Sequence, residues 1–248
     1  SKGFLDGVIL QSGHQADQSI ILELSKTNLP MLVAGRPLYG DDVCFIDIDN
    51  IAASEKAVRH LINCGRKKIA IITGPLTSTV GLDRLAGYRN AMNSSSLKYN
   101  EHSIIESDFT EQGGYNAMQK LITIKPDAVF AASDMMAIGA IRFIRDAGLN
   151  VPKDIAVVGF DDLPIPMVNE LQLTTIRQPV VQFGFRAVET LIELIENDLR
   201  VKLSTPRKNF GPSFFCPKRG LLINFQNAGK RTSKNAPKPS FCPQTWVG

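Results

Sequence analysis

Two adjacent carboxylates, Asp161 and Asp162, close the apolar run Ile155-Ala-Val-Val-Gly-Phe160. A parallel strand that ends this way presents its last polar residues where open α/β sheets bind ligands. Other polar residues fall at equivalent corners. Ser133 and Asp134 follow the apolar run 128–131, the stretch Thr73-Gly-Pro-Leu-Thr-Ser-Thr79 follows another, Arg84 opens the helical pattern after it, and Phe109 sits at a further turn. A carboxylate and a guanidinium that converge recognise paired hydroxyls through directional, bidentate hydrogen bonds, and an aromatic ring supplies a flat apolar face for a sugar or a base. This is binding chemistry more than catalysis. The sequence has no nucleophile elbow, phosphate-binding loop, dinucleotide fingerprint or metal-ligand cluster to go with the two aspartates. Plainer roles compete at each position: Ser133, Asp134 and Thr110 as helix caps, Arg84 as a partner of Asp83, Phe109 as ordinary core.

The elements that must position these residues alternate along the chain. Strand-length apolar runs at 7–10, 31–34, 44–48, 68–73, 103–106, 128–131, 155–160 and 173–178 are separated by helical patterns at 16–26, 51–64, 82–92, 112–123, 135–147 and 181–196. Such βαβ alternation specifies parallel sheets covered on both faces, with right-handed crossovers and functional loops at the strands' carboxyl ends. Helix punctuation agrees. Gly65 followed by Arg66, Lys67 and Lys68 stops one helix, Gly148 ahead of Pro152 stops another, and Thr110 supplies a capping hydroxyl to a third.

Composition bounds the class. At 248 residues, 44% hydrophobic and 21% charged, the chain supports one large α/β domain or two lobes. The net charge of +4 hides a split: from Leu199 onward there are ten Lys or Arg and no Asp or Glu, which leaves residues 1–198 at −6. A basic, aperiodic tail with six prolines from Pro206 onward reads as disorder before it reads as a nucleic-acid arm. Only Leu221-Leu-Ile-Asn-Phe225 in that tail is long enough for a strand. No apolar run approaches the ~20 residues of a membrane span, and no signal-peptide pattern opens the chain, so a cytoplasmic location is expected and no membrane partner. Cys44, Cys64, Cys216 and Cys242 show neither zinc-ligand nor disulfide-framework spacing, and no metal or cofactor is expected.

Five ordered motifs carry a resemblance. Gly65-Arg-Lys-Lys-Ile-Ala-Ile-Ile-Thr-Gly-Pro75, Arg84-Leu-Ala-Gly-Tyr-Arg-Asn-Ala91, Ser107-Asp-Phe-Thr-Glu-Gln-Gly-Gly-Tyr115, Asp127-Ala-Val-Phe-Ala-Ala-Ser-Asp-Met-Met-Ala-Ile-Gly-Ala140, and Val151-Pro-Lys-Asp-Ile with Leu173-Thr-Thr-Ile-Arg-Gln-Pro179 occur in order and at matching spacing. From about Asp6 to about Leu199 the chain resembles the effector-binding domain of the lactose/galactose repressor family, whose fold is that of the periplasmic sugar-binding proteins.

The resemblance implies an α/β, two-lobed fold with parallel sheets. It divides the chain into a partial N-terminal lobe at 1–50, a C-terminal lobe at 51–176, a return at 177–203 and an atypical tail at 204–248. It also implies a ligand-sensing, non-enzymatic domain of a transcriptional regulator, with an effector cleft lined by the residues matching Arg84, Phe109, Ser133 and Asp161. Gln178 matches a position near the hinge, and Arg36 in Val33-Ala-Gly-Arg-Pro37 is a further member. The effector is expected to be a sugar or purine-like molecule. Operator DNA would be reached only through an N-terminal helix-turn-helix lying outside this sequence, and the intact protein is expected to form a homodimer.

Departures are mild in the body, where Asp49-Asn50-Ile-Ala-Ala53 stands for Asp-Asn-x-x-Gly and Gly65-Arg66 for Gly-His. They are larger at the ends. The family's domain begins with two further βα units and closes with a strand that this chain does not match, so an incomplete N-terminal lobe with an open sheet edge is expected, in a truncated frame whose tail is translated out of frame. A transport-type sugar-binding protein of the same fold is the alternative reading, and an α/β enzyme using Asp161 and Asp162 as acid and base is the third.

Overall fold

The computed structural model describes residues 5–11, 17–38, 43–164 and 172–196, together with the backbone of 208–210, 213–216 and 221–223. Its strands form two sheets, and the chain divides between them. The first sheet takes β1 (Val8–Gln11), β2 (Met31–Ala34), β3 (Phe45–Ile48) and β9 (Lys208–Phe210) in that spatial order, every pair parallel. The second holds β4 (Ile69–Thr73), β5 (Ile104–Glu106), β6 (Ala128–Ala131), β7 (Ala156–Asp161) and β8 (Thr174–Arg177), again parallel. Their spatial order is β8-β7-β6-β4-β5. The α/β class with parallel sheets expected from the sequence is the class found.

The second sheet is buried on both faces, and this explains why its strands read as continuous apolar runs rather than alternating ones. All of β4 and β6 is buried. Along them the side chains divide by period two. Ile69, Ile71, Ala128 and Phe130 pack under α2 (Asn50–Asn63) and α3 (Thr79–Asn93), while Ala70, Ile72, Val129 and Ala131 pack under α4 (Glu111–Leu121) and α5 (Asp134–Asp146). In the first sheet, α1 (Gln18–Ser25) sets Ile21 against Val33 and Val43, and α6 (Val180–Glu196) sets Ala187 against Leu32 and Ile46. The chain leaves the first sheet after Ile48, where Asp49 caps α2, and returns between Arg177 and Val180.

Helix starts are fixed by side-chain oxygens that satisfy otherwise orphaned backbone N–H groups. Asp49 accepts from Ala52 N at 2.8 Å, Ser78 from Gly81 N at 3.0 Å, Thr110 from Gly113 N at 2.9 Å and Ser133 from Met136 N at 3.2 Å. Each cap lies in the connection between a strand and the helix that follows it. Gly65 and Gly148, with φ of +82° and +76°, take the left-handed conformation that ends α2 and α5.

Residues after about Ser204 read as a tail outside the compact core in which only 221–225 is long enough for a strand; three short strands are described there. Besides β9 on β3, β10 (Ser213–Cys216) runs antiparallel to β8 and β11 (Leu221–Ile223) antiparallel to β10. Backbone N–H and C=O groups along β3 and β8 are templates for any extended segment, whatever its side-chain periodicity, and this is the part of strand formation that apolar patterning does not report. The 221–223 strand joins the second sheet, not the edge of the first.

Candidate ligand site at the strand ends

Arg84, from the second turn of α3, is the centre of the polar cluster. Its side chain is 5% exposed and its guanidinium lies 3.6 Å over the Phe160 ring. Nε donates to Asn50 Oδ1 at 3.0 Å, and one terminal nitrogen donates to the Ala132 carbonyl at 2.6 Å and to Asp161 Oδ1 at 3.4 Å. These partners come from the start of α2, the end of β6 and the end of β7. Burial lowers the guanidinium's pKa and the facing carboxylates, Asp161 first, raise it. It stays charged, because an arginine starts far above neutrality.

Asp161 ends β7 with φ +123°, followed by Asp162 at φ +60°. L residues hold such angles only where neighbouring contacts dictate them. Gln178 donates to Asp161 Oδ1 at 2.5 Å from its side chain and to the Asp161 carbonyl at 3.2 Å from its backbone N–H. Burial raises the pKa of Asp161, opposed chiefly by Arg84 and then by Gln178. Asp162 pairs instead with Arg177.

Behind Asp161 lies a second buried carboxylate. Asp134 is fully buried; its Oδ1 accepts from the Thr175 hydroxyl at 2.6 Å and its Oδ2 from Leu163 N at 2.9 Å. Burial pushes its pKa up to about 7, with the nearby charges of Asp161 and Asp162 adding to the rise. The expected capping role falls to Ser133 alone, since the Asp134 carboxylate turns inward.

The remaining sequence-nominated residues lie around this cluster. Ser133 is 4% exposed and its hydroxyl oxygen caps α5. Phe109, at φ +64°, lays its ring on the loop after β4, so close that a Cβ on Gly74 would meet it at 1.9 Å. Arg36, in the loop after β2, donates to Asp83 Oδ1 at 2.6 Å, and its carbonyl accepts from the Thr79 hydroxyl at 2.8 Å. Asp83 is therefore the partner of Arg36, not of Arg84. The structure thus joins Arg84, Asp161 and Gln178 directly and sets Ser133 next to Ala132, whose carbonyl accepts from Arg84; Phe109 and Arg36 contact other groups.

Sequence reasoning did not nominate Asn50, Phe160 or Thr175 for this cluster. Thr175 carried a readable signal: a hydroxyl inside an otherwise apolar strand needs a buried partner. Phe160 carried none, because an aromatic at the end of an apolar run looks like core. Among the described residues, no group of three or more His, Cys, Asp or Glu is placed to hold a metal, and no helix is long and apolar enough to cross a membrane.

A parallel α/β fold in two sheets, with a buried arginine–carboxylate pair at the strand ends, defines a periplasmic-binding-protein-like ligand domain. Residues 58–207 match the family described as a periplasmic binding protein-like domain, and the chain belongs to that family. Curated relatives are regulators of the lactose-repressor type. The chain is 37% identical over 198 residues to the HTH-type transcriptional regulator CelR of Thermobifida fusca, covering 78% of this chain and 58% of that protein. It is 37% identical over 199 residues to the ribose operon repressor of Haemophilus influenzae, with the same coverage. The chain therefore spans somewhat over half the length of these relatives. Among solved structures, a CelR–cellobiose complex superposes with a TM-score of 0.78 at 33% identity, over 86% of this chain and 65% of that one. A dimeric Lac repressor gives 0.74 at 27% identity, over 85% and 76%.

Proposed function

We propose that this chain is the effector-sensing part of a DNA-binding transcriptional regulator and that it binds a small hydroxylated molecule, a sugar before a purine, where Arg84 meets Asp161. The observation that carries this reading is the buried pair itself. A guanidinium and a carboxylate at 3.4 Å, set at the carboxyl ends of β6 and β7 and stacked on Phe160, form the donor–acceptor combination that vicinal hydroxyls match. Ser133 and Phe109 extend the site along the same strand ends, and Arg36 stands at its periphery.

Gln178 gives ligand binding a mechanical consequence. It belongs to the segment that returns the chain to the first sheet and it holds the ligand-facing carboxylate, so any shift of Asp161 pulls on that connection. Closure of the two lobes on an effector is thereby coupled to the rest of the regulator, with DNA contacted through a helix-turn-helix of the kind named in its relatives, as a homodimer in the cytoplasm. The cellobiose in the CelR complex and the ribose operon named for the Haemophilus influenzae repressor support a sugar as effector. Isothermal titration calorimetry with cellobiose, ribose and purine bases tests the reading. One ligand class binds, and Arg84→Ala and Asp161→Ala each cost about 2–5 kcal/mol of binding, as loss of a desolvated, hydrogen-bonded charge does. Wild-type affinity in both folded variants would overturn the assignment.

A further inference from the structure

We propose that Asp134 is a positioning residue for this site: its buried carboxylate ties the start of α5 to strand β8 and to the turn carrying Asp161 and Asp162, and so sets the orientation in which Asp161 is presented. The proposal rests on the reading of Arg84 and Asp161 as the ligand pair. Three observations carry it. First, Asp134 holds the turn that carries Asp161: its Oδ2 accepts from Leu163 N at 2.9 Å, two residues beyond Asp161. The intervening backbone has φ of +123° and +60°, a conformation that persists only when surrounding contacts over-determine it.

Second, room for this carboxylate is built into the neighbouring strand. A Cβ on Gly159 would lie 2.3 Å from Asp134 Oδ1, so β7 accommodates the group only because residue 159 has no side chain. Thr175 on the adjoining strand then supplies the hydroxyl at 2.6 Å. Third, a simple helix-start role does not account for the geometry. Ser133 already caps α5, and an acidic residue serving only the helix dipole has no need to be fully buried.

The charged groups facing Asp134 are Asp161 and Asp162, with Arg84 and Arg177 paired to them. Both protonation states of Asp134 keep the same frame. Oδ2 accepts from Leu163 in either state, while the Thr175 hydroxyl donates to the anion and accepts from the acid. Asparagine reproduces the neutral state, with its oxygen toward Leu163 and its amide nitrogen toward Thr175.

Hydrogen exchange of the full chain, followed by NMR, tests the proposal. In Asp134→Ala the amides of Leu163 and Gln178 exchange at least tenfold faster while those of β4 and β6 keep their protection, and Asp134→Asn stays within about threefold of wild type. Thr175→Val, which removes one of the two bonds, gives a smaller effect in the same direction and carries the test if Asp134→Ala does not fold. Unchanged exchange at Leu163 and Gln178, or a loss spread evenly over the sheet, overturns the positioning role. Titration with cellobiose and ribose separates this proposal from the reading beneath it. Wild-type affinity in Asp161→Asn would sink the ligand-pair reading. Lost affinity in Asp161→Asn together with unaltered affinity in an exchange-perturbed position-134 variant would sink the positioning role alone.

Discussion

The two sheets bury their apolar residues to very different degrees. In the second, β4 and β6 are buried at every position and α2, α3, α4 and α5 cover both faces. In the first, β1 alternates between half-buried and exposed positions, with Ile9 exposed, and α6 directs Val181, Phe185, Val188 and Ile192 outward, Phe185 at 69% exposure. The difference shows where rigidity is available for recognition. Arg84, Asp134 and Asp161 all sit on the tightly packed unit, held by contacts among α2, β6, β7 and β8. The first sheet's segments contribute the Arg36–Asp83 ion pair, the Thr79 hydroxyl bond to the Arg36 carbonyl and the Gln178 bonds to Asp161. A ligand site needs its directional groups fixed and something less constrained to move, and the two units divide those demands.

That comparison is broken most severely at Arg84. Replacing it by Ala leaves Asp161 buried without its cation and opens space above Phe160, at a cost of about 3–5 kcal/mol in folding stability. Chemical denaturation of the variant measures it, and a loss below ~1 kcal/mol would mean that the cluster is not the keystone of the second sheet.

The next effect depends on pH. A carboxyl held near 7 rather than its ordinary 3.8 favours its neutral form in the fold, by roughly 4 kcal/mol at most. The folded-state value is raised, so the contribution of Asp134 is fully present below about pH 4 and is lost as pH rises through 7. Asp134→Asn lacks this titration. Its stability relative to wild type therefore climbs between about pH 4 and pH 7 and levels off above, readable from urea midpoints at several pH values. A flat difference across that window would contradict the burial argument.

Glycine substitutions give the smallest effects and the sharpest contrast between the sheets. A Cβ at Gly87 in α3 would come within 2.3 Å of the Ile51 carbonyl, so Gly87→Ala forces α2 and α3 apart and costs about 1–3 kcal/mol. Nothing lies within 4 Å of the corresponding position at Gly184 in α6. There Gly184→Ala gains about 0.5–1 kcal/mol from helix propensity alone. Thermal melts of the pair should move in opposite directions.

Legibility in the sequence follows the same division. Every strand and α-helix described through residue 196 was visible as apolar periodicity, because parallel strands buried on both faces give uninterrupted runs, and α2, α3, α4 and α5 each start on an Asp, Ser or Thr that caps them. Arg84 and Asp161 could be nominated from type and place, and the structure joins them. Their supports could not. Asn50, Phe160 and Thr175 take their roles from contacts between elements far apart in sequence, and the strands after Ser204 form on backbone edges that side-chain pattern does not advertise. Asp83 looked like a partner for its neighbour Arg84, but adjacent helix residues point apart, which leaves it to Arg36.

The central claim, that the strand-end pair of Arg84 and Asp161 is the effector site, is tested most directly by a structure of the chain bound to cellobiose or ribose. The account predicts ring hydroxyls within hydrogen-bond distance of both the Arg84 guanidinium and the Asp161 carboxylate, with Gln178 still bonded to Asp161 and the Phe109 ring alongside the ligand. A sugar bound elsewhere, with the Arg84–Asp161 contact unchanged, would contradict it.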